Sequence, residues 1–176
     1  MKLIAAVFVS MLIGFGATTT QAQWRKGEER VADTADRKSV NDFGVQLLVV
    51  EDPRAFIEEW NKPETPNIKP ITEVKKGVLI GAFVLFAGCK ADAQGACNSE
   101  VDYTVYKPDG SVYAERKQQP LWKEPPPPGQ NIQLSKAILG MRLQSKDPTG
   151  EYIVKAKVTD LVANVTLELE TKIKLK

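Results

Sequence analysis

The chain has 176 residues, with 24 Lys and Arg against 22 Asp and Glu and no histidine. A formal charge of +2 excludes the dense basic surface that phosphate neutralisation requires, so nucleic acid is not expected as a partner. Lack of histidine removes the commonest general base, the Ser-His-Asp and Cys-His arrangements and the ligand sets of most zinc sites. No catalytic residue, cofactor or metal site is therefore expected.

In chain order, Lys2 opens a short positive region, Leu3 to Phe15 form an apolar run, and Thr20-Gln21-Ala22 carries the small residues at which a signal peptidase cuts. This pattern predicts a cleavable secretory signal over residues 1–22. The apolar run is shorter than the roughly 20 residues a membrane helix needs, so no membrane span is expected after cleavage. Periplasmic or secreted placement in a bacterium follows. Residues 23–44 are mostly charged and lack periodicity, which predicts a flexible arm. The remaining residues, 45–176, are expected to form one domain.

Val45 to Val50 is an apolar, β-branched run, followed by Asp52-Pro53, an N-cap with proline at the first helical position. A short helix is predicted to about Trp60, with Phe56 and Trp60 on one face. Pro63, Pro66 and Pro70 then predict an extended connector. Between Val78 and Gly88 nearly every residue is apolar, with Val78, Ile80, Ala82, Val84 and Phe86 on one face and Leu79, Phe83 and Leu85 on the other. A strand covered on one side would alternate, so this strand must be covered on both, the second face by the Phe56 and Trp60 helix.

Cys89 and Cys97 are the two cysteines of the chain. In an oxidising compartment an isolated pair at this spacing predicts a disulfide, closing a small ring worth about 2 to 3 kcal/mol by loop entropy and fixing a hairpin. From Glu100 to Lys107 the apolar residues Val101, Tyr103 and Val105 alternate with polar ones, and Pro108-Asp109-Gly110 predicts a turn. A short return strand is expected through Val112 and Tyr113. Leu121 to Gly129 holds Trp122 and the run Pro125, Pro126, Pro127 and Pro128, predicting polyproline II. Alternation resumes at Tyr152, Val154, Ala156 and Val158, and again from Val165 to Leu175, predicting two half-buried strands. Glu100, Asp102 and Asp160 have the spacing of ordinary solvated charges.

Tyr103-Thr-Val-Tyr-Lys-Pro-Asp-Gly110, followed after a linker by Gly150-Glu-Tyr-Ile-Val-Lys-Ala-Lys-Val-Thr-Asp160, resembles the bacterial immunoglobulin-like modules, including those of macroglobulin type. The resemblance spans about residues 78–176. It implies an all-β fold, an antiparallel immunoglobulin-like β-sandwich carrying one short N-terminal helix. It also implies the role of spacer, binding platform or assembly part. The function expected is thus an exported non-enzymatic binding or assembly module of the bacterial envelope that engages an envelope or secreted protein. Trp122, Pro125, Pro126, Pro127 and Pro128 are the candidate contact surface, against the alternative that the prolines merely cross between sheets and Trp122 plugs the core. A second functional expectation is a small-ligand or glycan binder using Trp122 and neighbouring aromatics.

Overall fold

A computed structural model describes residues 24–26, 29–64, 66–127 and 131–176. The expected leader at residues 1–22 and the candidate contact Pro128 lie outside the described residues. In chain order the elements are β1 (Arg25–Lys26), β2 (Glu29–Arg30), β3 (Arg37–Val40), β4 (Phe43–Glu51), α1 (Pro53–Trp60), β5 (Glu73–Val74), β6 (Leu79–Ala87), β7 (Ser99–Tyr106), β8 (Val112–Trp122), β9 (Gln133–Arg142), β10 (Gly150–Asp160) and β11 (Val165–Leu175).

The protein is mostly β, in two main sheets. One is ordered β3-β4-β6-β9, the other β5-β11-β10-β7-β8. All pairs are antiparallel except β5 with β11. Period-two alternation decides which side chains meet between the sheets. Val45, Leu47 and Val49 of β4 and Ile80, Ala82, Val84 and Phe86 of β6 face Val101, Tyr103, Val105, Val154 and Val158 in one core. Each large apolar side chain so buried contributes about 1.5 to 3 kcal/mol.

The opposite face of the first sheet is also covered, as the unbroken apolar run of β6 requires. Leu48, Val50, Phe83 and Leu85 form a second cluster with Phe56 of α1. The Phe56 ring meets Phe83 edge-on, with centroids 4.9 Å apart. Asp52 caps the helix, its carboxylate accepting from the Ala55 N–H at 3.2 Å. Gly81 allows the helix its close approach, for a Cβ there would stand 2.8 Å from both the Pro53 ring and the Phe83 ring.

Three expectations are corrected. The expected arm, residues 23–44, contains β3 and the first residues of β4, which pair from Arg37↔Gln46 to Val40↔Phe43. Arg37 and Lys38 sit on an edge strand, where a charged composition carries no penalty. Trp24 packs on the second cluster, its indole beside Gly44 and its N–H donated to the Lys38 carbonyl. Secondly, the strand returning from the Pro108-Asp109-Gly110 turn continues through Leu121 and Trp122, which were expected to be polyproline II. Pro120 is tolerated because β8 lies at the sheet edge. Thirdly, Asp160 is fully buried rather than solvated. Strand β9 was not foreseen at all.

Candidate functional site at the loop-bearing end

Strands β6, β8 and β10 finish at the same end of the sandwich, and β7, β9 and β11 start there. The connections 88–98 and 161–164 and the described parts of the third, 123–127 and 131–132, therefore cluster. Cys89 and Cys97 are joined, with Cα atoms 5.9 Å apart. The bond closes a small antiparallel turn, in which Ala91 pairs with Cys97 and the Asp92 N–H donates to the Ala96 carbonyl, set in the crossing from one sheet to the other.

Direct hydrogen bonds tie the three connections together. The Asp160 carboxylate accepts from the Lys90 N–H at 2.8 Å and from the Val162 and Ala163 N–H groups at 3.0 Å. These charge-assisted bonds satisfy a carboxylate that would otherwise be costly to bury. The Leu161 N–H donates to the Asn98 carbonyl at 2.9 Å, and the Cys97 N–H to the Glu124 carbonyl at 2.9 Å. At Gly88, with φ +73°, a Cβ would stand 1.6 Å from the Asp42 carbonyl oxygen, so the turn between β3 and β4 is pressed against the first connection.

Trp122, half-buried, lies on Phe86 with ring centroids 5.4 Å apart. Its indole N–H donates to the Pro125 carbonyl at 3.0 Å, and the Lys136 ammonium stands 5.0 Å from the ring centroid. Lys136 is also paired with Glu124. Pro125 and Pro126 are exposed and Pro127 is buried. Pro126 and Pro127 border a recess of about 520 Å³ beside Asn41, Asp42, Lys90 and Ala163. The segment thus both crosses between sheets and leaves two prolines at the surface.

Sequence reasoning singled out Trp122 but not its setting. A groove of about 840 Å³ runs between Trp60 at the end of α1 and Trp122 at the end of β8. Leu85, Leu134 and Ile68 supply apolar lining; Asn61, Asn131 and Gln133 supply carboxamides. Ile132 borders it at 45% exposure. Trp60, expected with Phe56 to cover the second face of β6, packs half-buried against Phe56 and also lines this groove. The period of α1 gave the shared face of Phe56 and Trp60, but only folding brings residue 60 beside residue 122.

The sequence matches no protein-family model and no curated protein. Among solved structures, the chain is similar to a family 123 glycoside hydrolase from Clostridium perfringens at 8% identity and a TM-score of 0.42, over 75% of this chain and 27% of that one. It is similar to a Niemann-Pick type C2 protein from the Japanese carpenter ant at 8% identity and 0.39, over 74% and 89%. A CARDB domain from Pyrococcus furiosus gives 10% identity and 0.35, over 82% and 100%. Likenesses at these scores carry no argument, and the sandwich rests on its own two sheets. Among the described residues no helix is long and apolar enough to cross a membrane.

Proposed function

We propose that this chain is an exported, non-enzymatic binding module of immunoglobulin-like topology, which engages a protein partner of the bacterial envelope through its loop-bearing end. The topology supports the class. Three strands, β4-β6-β9, lie against four, β11-β10-β7-β8, with chain crossings after β6, β8 and β9 and hairpins at β7–β8 and β10–β11, the Greek-key pattern of such modules.

The observation that carries the reading is the fixing of three neighbouring connections by the disulfide, the Asp160 carboxylate and the Trp122 indole. Recognition on rigid sandwiches resides in their loops, and preorganised loops lose little entropy on docking. A photo-crosslinking residue placed at Ile132 or Pro126 tests it in the native host, with a matching probe at Val112 at the far end of the sandwich. A discrete protein adduct from the first two positions and none from the third is expected, and Ile132→Glu should abolish the Pro126 adduct while leaving the melting temperature unchanged. Absence of any adduct would refute the protein-binding reading.

One arrangement favours a second reading. Lys62, which lines the groove, is paired with Glu59, and Lys136 nearby with Glu124, so that among the described residues Glu64 is the one lining charge outside these pairs, while two tryptophans and three carboxamides line the groove. That lining suits a neutral ligand with flat apolar faces, such as an oligosaccharide. Tryptophan fluorescence that shifts with oligosaccharides, together with no adduct, would select this reading.

A further inference from the structure

We propose that the end of the sandwich opposite the three tied connections rests on a bilayer surface rich in anionic phospholipid, with Lys75, Lys76, Arg142 and Lys146 on the headgroup phosphates and Leu79 against the lipid beside them. Strands β6 and β9 run from one end of the sandwich to the other, so this surface lies away from the one assigned to the protein partner and does not depend on that reading. The connection before β6 and the connection after β9 are tied together there. The Gly77 N–H donates to the Leu143 carbonyl at 2.7 Å, and the Lys76 ammonium to the Ser145 carbonyl at 2.9 Å. Register sets Arg142 opposite Leu79. The four cations thus share one end, and all are exposed.

The carboxylates of this end do not neutralise them. Among the described residues none of the four cations is in an ion pair. Glu73 is taken by Lys176. Asp147 is buried and accepts from the Tyr113 hydroxyl at 3.0 Å and the Gln144 N–H at 2.6 Å. Asp52 caps α1, and Asp109 accepts from the N–H and the hydroxyl of Ser111. Glu51 is the exception, exposed and outside any ion pair among the described residues.

Apolar surface adjoins the cations. Leu79 is 37% exposed, and Ile138, on the same outer face of the sheet, is 38% exposed. Gly140 separates Arg142 from Ile138 along that face of β9 and leaves open space where a Cβ would stand, so no side chain there overtops the two apolar residues. A single small anion needs donors that converge on one point, whereas these cations are spread over two connections with a leucine beside them. Such a surface suits a partner that offers many phosphates over an apolar interior. Each basic side chain near an anionic bilayer strengthens binding about fivefold, which makes the contact reversible and sensitive to salt.

Flotation of the purified protein with vesicles of phosphatidylcholine, alone or with on the order of 40% phosphatidylglycerol, tests this at low salt and at about 0.5 M salt, where screening reaches within a few ångströms. Flotation with the anionic vesicles at low salt is expected, with none on neutral vesicles or at high salt. Lys75→Gln with Lys146→Gln should weaken binding about tenfold or more at an unchanged melting temperature, and Leu79→Ser should weaken it on the order of threefold. Lys117→Gln with Lys157→Gln removes the same charge from the outer face of the second sheet, where Lys157 lies between Asp102 and Glu168 in register, and should bind like the wild type. No flotation, equal flotation on both vesicles, a Lys75 and Lys146 variant that binds like the wild type, or a Lys117 and Lys157 variant that loses as much would overturn the proposal. Displacement from the vesicles by free glycerol phosphate at about millimolar concentration would overturn it too, by revealing a pocket for one phosphate group in place of a surface.

Discussion

At the scale of single residues, the loop-bearing end depends on a carboxylate that receives backbone donors from two different connections. Asp160 has no exposed surface, and it binds the Lys90 N–H, one residue beyond Cys89, together with the Val162 and Ala163 N–H groups. Asp160→Ala leaves these donors without their acceptor, and the expected loss is about 2 to 4 kcal/mol, read as a lower urea midpoint. Asp160→Asn keeps an acceptor for the Val162 and Ala163 groups but can turn an NH2 toward Lys90, so it should lose less. Equal stability of all three proteins would remove Asp160 from this role. Gly88 is constrained from the other side, by the Asp42 carbonyl and a positive φ together. No side chain relieves both.

At the scale of elements, Trp122 shows how a crossing and a contact surface can share one segment. Its ring covers Phe86, and its N–H holds the Pro125 carbonyl. Trp122→Ala should therefore cost about 2 to 4 kcal/mol, below the full value for a wholly buried aromatic because the ring is half-buried. Denaturant unfolding measures it, and a change under about 0.5 kcal/mol, the ordinary surface value, would contradict the packing role. Elements whose residues state their own period were legible in the sequence: β4, β6, β7, β10 and β11 by apolar runs or alternation, and α1 by Asp52-Pro53. β9 was not, because Ser135, Ala137 and Gly140 dilute its alternation with small residues. β3 and the outer part of β8 were hidden for another reason: edge strands tolerate Arg37, Lys38, Arg116 and Lys117 at positions where a central strand would carry apolar side chains. Of the candidate site, Trp122 and the disulfide were legible from composition and spacing. The groove was not, since residues 60, 85, 122 and 134 converge only through sheet order, which single-strand patterns do not encode.

At the scale of the whole molecule, three tyrosines link stability to alkaline pH in the same direction. The Tyr113 phenol is raised to about 12, by burial first and then by the hydrogen bond it donates to the Asp147 carboxylate at 3.0 Å and by the charge of that carboxylate. Tyr152, in edge-on contact with Tyr113 at 5.7 Å, is raised by burial and then by the charges of Asp147 and Asp109. Tyr103, inside the core with its hydroxyl donating to the Ala137 carbonyl, is raised by burial above all. An unfolded tyrosine loses its proton near pH 10. Between about 10 and 12 the folded chain thus holds protons that the unfolded chain has released, and unfolding becomes more favourable as pH rises. The stability tied to these phenols is fully present below about pH 10 and is lost as pH climbs through the folded values. Melting temperature measured from pH 9 upward, on the order of every half unit, should fall with a slope that Tyr113→Phe makes shallower, because phenylalanine keeps the ring contact and removes the proton. The variant should start lower at pH 9, having lost the bond to Asp147, and the two curves should converge toward pH 12. Parallel curves over the whole range would mean that Tyr113 titrates alike in the folded and unfolded chains, and would sink the linkage.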